Sequence, residues 1–67
     1  MKMFRLQDRF GHDVLGGEVG EDNAYIRFLG KLIKGAPPNQ LDVGDACVKE
    51  YALSGQRKTQ YWVVRTA

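Results

Sequence analysis

The chain is too short to build more than one hydrophobic core. It has 67 residues, and a domain of this length buries only about 60% of the surface that its unfolded form exposes. Such domains depend on a tightly packed core, a partner chain, a metal or disulfides. The only cysteine, Cys47, has no partner for an internal disulfide, and His12 with Cys47 falls short of a structural zinc site. We predict one domain over residues 1–67, without metal or cofactor.

Cysteine content and charge bear on location and partners. A single thiol without a disulfide framework is typical of a reducing compartment, so we expect a cytoplasmic protein. No apolar run is long enough to span a membrane, and we expect no membrane association. The net charge of +2 is small, but residues 51–67 contain Arg57, Lys58 and Arg65 and no acid. This asymmetry predicts a basic face.

The N-terminal third has the pattern of a hairpin. Apolar and polar side chains alternate over residues 2–8, which predicts a half-buried strand. A reversal is expected over residues 9–12, where Gly11 tolerates the positive φ of a tight turn. A second strand is predicted from Asp13 to Val19, with a bulge or bend at Gly16-Gly17.

Residues 23–34 allow two interpretations. Their apolar side chains recur with helical spacing, and Asp22 or Asn23 can cap a first turn. This favours a short amphipathic helix whose opposite face carries Arg27, Lys31 and Lys34. Gly30 opposes a helix, because a glycine in a helix costs about 1 kcal/mol relative to alanine. The alternative is a strand from Ala24 to Leu29.

The C-terminal third reads as a second hairpin. A strand is predicted from Ala46 to Leu53, a loop over residues 54–58, and a last strand from Thr59 to Thr66. In that last strand Tyr61 and Val63 share one side and Trp62 shares the other with Val64, so both faces carry bulk. The predicted fold class is α+β with a strong β bias, as a small antiparallel sheet or an OB-like barrel; the alternative is an all-β OB barrel.

Several short motifs resemble the cold-shock domain, an OB-type barrel that binds single-stranded nucleic acid. Lys2-Met3-Phe4 is similar to that family's K-W-F, Phe10-Gly11-His12 to its F-G-F, and Tyr25-Ile26-Arg27-Phe28 to its V-F-V-H-F. The segment 41–45 resembles the start of the family's fourth strand. Met3 stands where the family has tryptophan, and His12 where it has a stacking phenylalanine. The resemblance implies a nucleic-acid-binding face and a strand at residues 24–29.

In a second alignment, the motifs of the chain resemble those of bacterial translation initiation factor one, another OB-type protein. These motifs are Met3-Phe4-Arg5-Leu6, Gly11-His12, Tyr25-Ile26-Arg27 and Gly44-Asp45. This resemblance also implies a strand at residues 24–29.

A surface that binds single-stranded nucleic acid combines aromatic side chains, which stack on the bases, with cations, which contact the phosphates. Phe4 and Phe28 are expected in the core, because a small domain must bury most of its large side chains. The candidate nucleic-acid-binding residues are Phe10, His12, Tyr25, Arg27, Lys31, Arg57, Lys58, Tyr61, Trp62 and Arg65.

These observations predict a non-catalytic binding module for single-stranded RNA or DNA. His12 and Cys47 could form a base and nucleophile pair, but no acid at a recognisable spacing orients the histidine, so an enzyme is not expected. The alternative is a small protein-interaction module, such as a mobile-element or phage-type adaptor or inhibitor. That module could be a homodimer joined through the edge of the last strand.

Overall fold

The alternating residues near the N-terminus form the first strand of a five-stranded antiparallel sheet in the computed structural model, which describes all 67 residues. The sheet is open, with the strand order β2-β1-β5-β4-β3. A single turn of α-helix and one 3-10 turn, Pro38–Gln40, complete the fold. The elements are β1 (Met3–Gln7), β2 (Val19–Gly20), α1 (Ala24–Arg27), β3 (Lys31–Lys34), β4 (Ala46–Tyr51) and β5 (Thr59–Arg65). The predicted small, strongly β-biased antiparallel sheet is therefore confirmed, whereas the OB-like barrel stays a prediction.

One face of the sheet holds the core. Phe4 and Leu6 of β1 are fully buried there, as their alternation predicts. Ile26 from α1 and Leu41 cover this inner face. The remaining members of the core cluster are Cys47, Tyr51, Tyr61 and Val63. Burying a large apolar side chain contributes about 1.5–3 kcal/mol, so this cluster is the main source of stability.

The opposite, outer face of the sheet carries one large aromatic ring. Trp62 lies directly across from Gln7 on β1 and from Val48 on β4, so the three side chains share this face. Lys34 extends the row, since it pairs with Val48. Trp62 is half-buried and Val48 is buried. The two-sided bulk predicted for the last strand is thus confirmed.

The last strand lies at the centre of the sheet, between β1 and β4. Both of its edges are already paired, so a homodimer cannot join through this strand; a homodimer joined through another strand edge stays a prediction. The chain ends meet beside it: the Met3 N–H donates to the Ala67 carbonyl at 3.1 Å, and the Thr66 N–H donates to the Met3 carbonyl at 2.8 Å. The edge strands are β2 and β3.

The strand predicted from Asp13 to Val19 is not formed. Asp13 makes a single bridge to Gln7, and β2 begins only at Val19. Between them Gly16 and Gly17 have φ values of 78° and 140°, which no regular strand adopts. The bend predicted at this glycine pair is present and interrupts the strand.

Residues 23–34 are neither one helix nor the strand Ala24–Leu29. The Asn23 side chain caps the helix start by accepting the Tyr25 N–H at 2.9 Å, as predicted, but α1 ends at Arg27. Gly30 then has a φ of 76°, and the chain leaves as β3. The basic helix face is consequently wrong, because Lys31 and Lys34 lie on a strand. The helices have four and three residues, and none is long and apolar enough to cross a membrane.

Candidate functional site

Two loops meet at one end of the sheet. β1 and β5 run antiparallel, so the loop that follows Gln7 and the loop that precedes Thr59 emerge at the same end. Between them lies a groove of about 490 Å³, which we call the loop groove. It is lined by Asp8, Val14, Leu15, Tyr25, Leu53, Ser54, Gln56 and Tyr61. The fold thereby joins residues from the two predicted hairpins.

The first loop is held by the carboxylate of Asp8. That carboxylate accepts the N–H of Phe10 at 2.8 Å and the N–H of His12 at 3.0 Å, and the Gly11 N–H donates to the Asp8 carbonyl. The hydrogen bond from the His12 N–H is the main cause that lowers the pKa of Asp8 from its ordinary value. The loop is thus braced from inside by an ionised side chain, and the reversal predicted at residues 9–12 is confirmed.

This bracing leaves the Phe10 ring pointing into solvent. Phe10 is 69% exposed. The Arg9 guanidinium carbon lies 4.9 Å from the ring centroid, within the range of a cation–π contact, and the His12 ring lies at 6.3 Å. An exposed ring beside a cation can stack on a nucleobase while the cation faces a phosphate.

Three tyrosines form a packed cluster at the groove. The Tyr25 and Tyr51 ring centroids are 6.2 Å apart, and Tyr51 meets Tyr61 edge-on at 5.6 Å. The Tyr51 hydroxyl donates to the Tyr25 carbonyl, and burial raises the pKa of Tyr51 well above its ordinary value. Tyr25 is about one-third exposed, whereas Tyr61 is buried. Tyr25 therefore offers a fixed aromatic wall, and Tyr61 lies at the base of the groove.

The second loop supplies cations. Its tight turn is closed by the Gln56 N–H, which donates to the Leu53 carbonyl at 2.7 Å. Arg57 and Lys58 follow Gln56 and are exposed. Together with Arg9, the two loops carry three permanent cations, whereas the lining of the groove itself has one charged side chain, that of Asp8. An anionic ligand would therefore be attracted by the loops rather than by the lining of the groove.

Six of the ten candidate residues thus belong to the loop groove or to its two loops: Phe10, His12, Tyr25, Arg57, Lys58 and Tyr61.

The other four lie elsewhere. Trp62 is on the outer face, and Lys31 is on the edge strand β3 opposite Glu50. Arg65 donates to the Leu41 carbonyl at 2.7 Å, at the far end of β5. Arg27 lies 3.4 Å from the Asp22 carboxylate and lines a second groove. These four residues therefore lie outside the two loops and outside the lining of the loop groove.

The sequence interpretation missed Arg9 and misplaced Phe28. Phe28 is 69% exposed, not part of the core, and the Arg27 guanidinium carbon lies 5.0 Å from its ring centroid. Both exposed phenylalanines directly follow an arginine in the sequence. An Arg-Phe pair in a segment that is predicted to form a turn is the sequence signal that would have identified Arg9 and the exposed position of Phe28.

His12 and Cys47 occupy different environments. His12 is exposed, and its Nδ1 lies 3.8 Å from the Asp8 carboxylate. Cys47 is fully buried on the inner face of β4, and burial raises the pKa of its thiol, which disfavours the reactive thiolate. The residues at the groove offer stacking surfaces, cations and hydrogen-bonding groups.

No protein-family model, curated protein or solved structure matches this chain.

Proposed function

We propose that the chain is a non-catalytic module that binds single-stranded RNA or DNA at the loop groove. The observation that carries this proposal is the exposed Phe10 ring, which lies beside Arg9 on one of the two loops that border a groove lined by Tyr25 and Tyr61. A nucleobase would stack on Phe10, and Tyr25 would offer a second ring. Arg57 and Lys58, in the facing loop, would track the phosphates.

The rigidity of the first loop supports the proposal. Two backbone N–H groups are fixed on the Asp8 carboxylate, so the backbone that carries Phe10 is positioned before a ligand arrives. A backbone that is already ordered loses little conformational entropy on binding, which improves affinity.

The chain provides a matched pair of variants to test the groove. Phe10 and Phe28 are equally exposed, and each has an arginine over its ring. Base stacking on an aromatic side chain contributes about 1–3 kcal/mol, so Phe10→Ala should weaken binding about 5- to 150-fold. Phe28→Ala should leave it unchanged. Fluorescence anisotropy with labelled DNA and RNA oligomers at low salt measures both.

The cations are tested by the salt dependence of the same titration. Each phosphate contact on a single strand contributes about 0.7 to the slope of log affinity against log salt. Arg57→Gln with Lys58→Gln should therefore reduce the slope by roughly 1.4. Absence of binding at low ionic strength, or equal effects of the two phenylalanine variants, would reject the loop groove as the site.

A second candidate function, protein interaction, is favoured by a different surface, the exposed strand β3.

A further inference from the structure

β3 is an edge strand with an open side. It pairs only with β4, and all four of its residues are exposed. An edge strand presents a row of backbone N–H and C=O groups that can pair with another extended chain. β2, the other edge, has only two residues. The one substantial open edge of the sheet is therefore β3.

Exposed apolar side chains are concentrated at this edge. We call Phe28, Leu29, Leu32 and Ile33 the edge patch; they are between 36% and 69% exposed. They account for half of the eight large apolar side chains that the whole chain exposes, and they lie within six consecutive residues. Such a concentration is typical of a surface that a partner covers.

The charge beside the patch selects the type of partner. Residues 27–34 contain Arg27, Lys31 and Lys34 and no acid. A second copy paired antiparallel through β3 would bring Lys31 close to Lys34 of that copy, and like charges across two strands are destabilising. A partner strand with carboxylates would instead complement both lysines.

The pairing register shows where those carboxylates belong. Lys31 pairs with Glu50, and Lys34 pairs with Val48 after a register shift at Ile33. Both lysines therefore lie on the outer face that carries Trp62, because Val48 pairs with Trp62. Leu32 pairs with Lys49, on the core-facing side. An added strand would meet cations on one face and an apolar surface on the other.

We propose that β3 docks an extended segment of a partner protein in which acidic and apolar side chains alternate. The segment adds a sixth strand by backbone hydrogen bonds. Its carboxylates face Lys31 and Lys34, and its apolar side chains cover the edge patch. This surface is separate from the loop groove, and the inference does not depend on nucleic-acid binding.

The test uses a labelled eight-residue peptide of alternating glutamate and valine. Binding is measured by fluorescence anisotropy, and the control peptide has the same sequence with alternate backbone nitrogens methylated. Methylation removes the donors on one edge but keeps charge and apolar content, so the control should bind at least tenfold more weakly. Equal binding of the two peptides would rule out strand addition without any change to the protein.

Two double variants of equal charge locate the site. Lys31→Gln with Lys34→Gln should weaken peptide binding about five- to tenfold, because exposed ion pairs are individually weak. Arg57→Gln with Lys58→Gln removes the same charge from the loop between β4 and β5, which is not part of β3, and should leave peptide binding unchanged. In the oligonucleotide titration the Arg57 and Lys58 variant should weaken binding, and the Lys31 and Lys34 variant should leave it unchanged.

Three further results would overturn the proposal. Equal loss of peptide binding in both double variants would show a nonspecific charge effect. Loss of oligonucleotide binding in the Lys31 and Lys34 variant alone would assign this edge to nucleic acid. A dimer in sedimentation that protects the β3 amides from exchange would identify a second copy as the occupant.

Discussion

At the scale of the residue, Tyr51 joins α1 to the sheet. Its hydroxyl donates to the Tyr25 carbonyl, and its ring packs against two other tyrosines. Burial raises the pKa of this phenol far above its ordinary value of 10.0. Above pH 10 the unfolded chain releases the proton and the folded chain keeps it. The free energy of unfolding must therefore decrease as pH rises through this range.

Tyr51→Phe tests this linkage. Between pH 10 and 11 the unmodified chain should lose about 1 kcal/mol more stability than the variant, which has no phenol to titrate at this position. At neutral pH the variant should be about 1 kcal/mol less stable, because the hydrogen bond to Tyr25 is lost. Urea unfolding at a series of pH values measures both effects. Parallel pH profiles for the two proteins would contradict the assignment.

Two other residues of β4, Cys47 and Lys49, also change how the free energy of unfolding depends on pH in the alkaline range. Burial also raises the pKa of Cys47 from its ordinary value of 9.0, so this thiol lowers stability in the same direction. Burial lowers the pKa of Lys49 from 10.5, which has the opposite sign and favours folding as pH rises toward that value. Lys49 is buried, with 4% of its surface exposed, and its ammonium donates to the carbonyls of Ile26 and Leu29 at 2.7 and 3.0 Å. Only the difference between variant and parent therefore isolates Tyr51.

At the scale of the element, Gly30 separates α1 from β3. A Cβ atom at this position would lie 2.5 Å from Cε1 of the Tyr51 ring, and the backbone φ is 76°. Gly30→Ala should cost about 1–2 kcal/mol for the left-handed backbone and about 1–3 kcal/mol more for the clash. Gly11→Ala is the matched control, with a φ of 79° and open space around its Cβ. Thermal unfolding measures both, and equal destabilisation would show that the Tyr51 contact is not limiting.

The sequence predicts the long strands better than the segment around Gly30. In β1 alternation alone places Phe4 and Leu6 in the core, since each strand face has one environment. Helical spacing in residues 23–34 predicts an apolar stripe against the core, yet only Ile26 is buried there. The positive φ of Gly30 depends on tertiary packing. So does the position of the Tyr51 ring, which leaves no space for a Cβ atom at residue 30. Periodicity carries no information about either.

At the scale of the whole molecule, the central and edge strands should differ in stability. β1 and β4 both pair with β5, and all three strands contribute to the core, whereas β3 exposes every residue. Regions with few buried contacts open most readily, so the β3 amides should exchange at least tenfold faster than those of β5. Hydrogen exchange followed by NMR measures this. Equal protection of β3 and β5 would point to a single cooperative unit or to a covered edge.

The loop groove is a property of the whole molecule that local patterns cannot predict. The sequence identifies Phe10 and Arg57 as candidate residues, but only the β1–β5 pairing brings their loops to one end of the sheet. The same pairing sends Arg65 to the opposite end. The resemblance to OB-type domains stays a prediction, while the strand that it implies at residues 24–29 is replaced by α1.

The hydrogen bonds between Met3 and the last two residues determine how the molecule can be attached to something else. Both termini leave the sheet at the end remote from the loops at residues 8–12 and 52–58. A tag, a surface tether or a neighbouring domain joined at either terminus would project away from Phe10. The chain can therefore be immobilised or fused at both ends with the aromatic groove still facing outward.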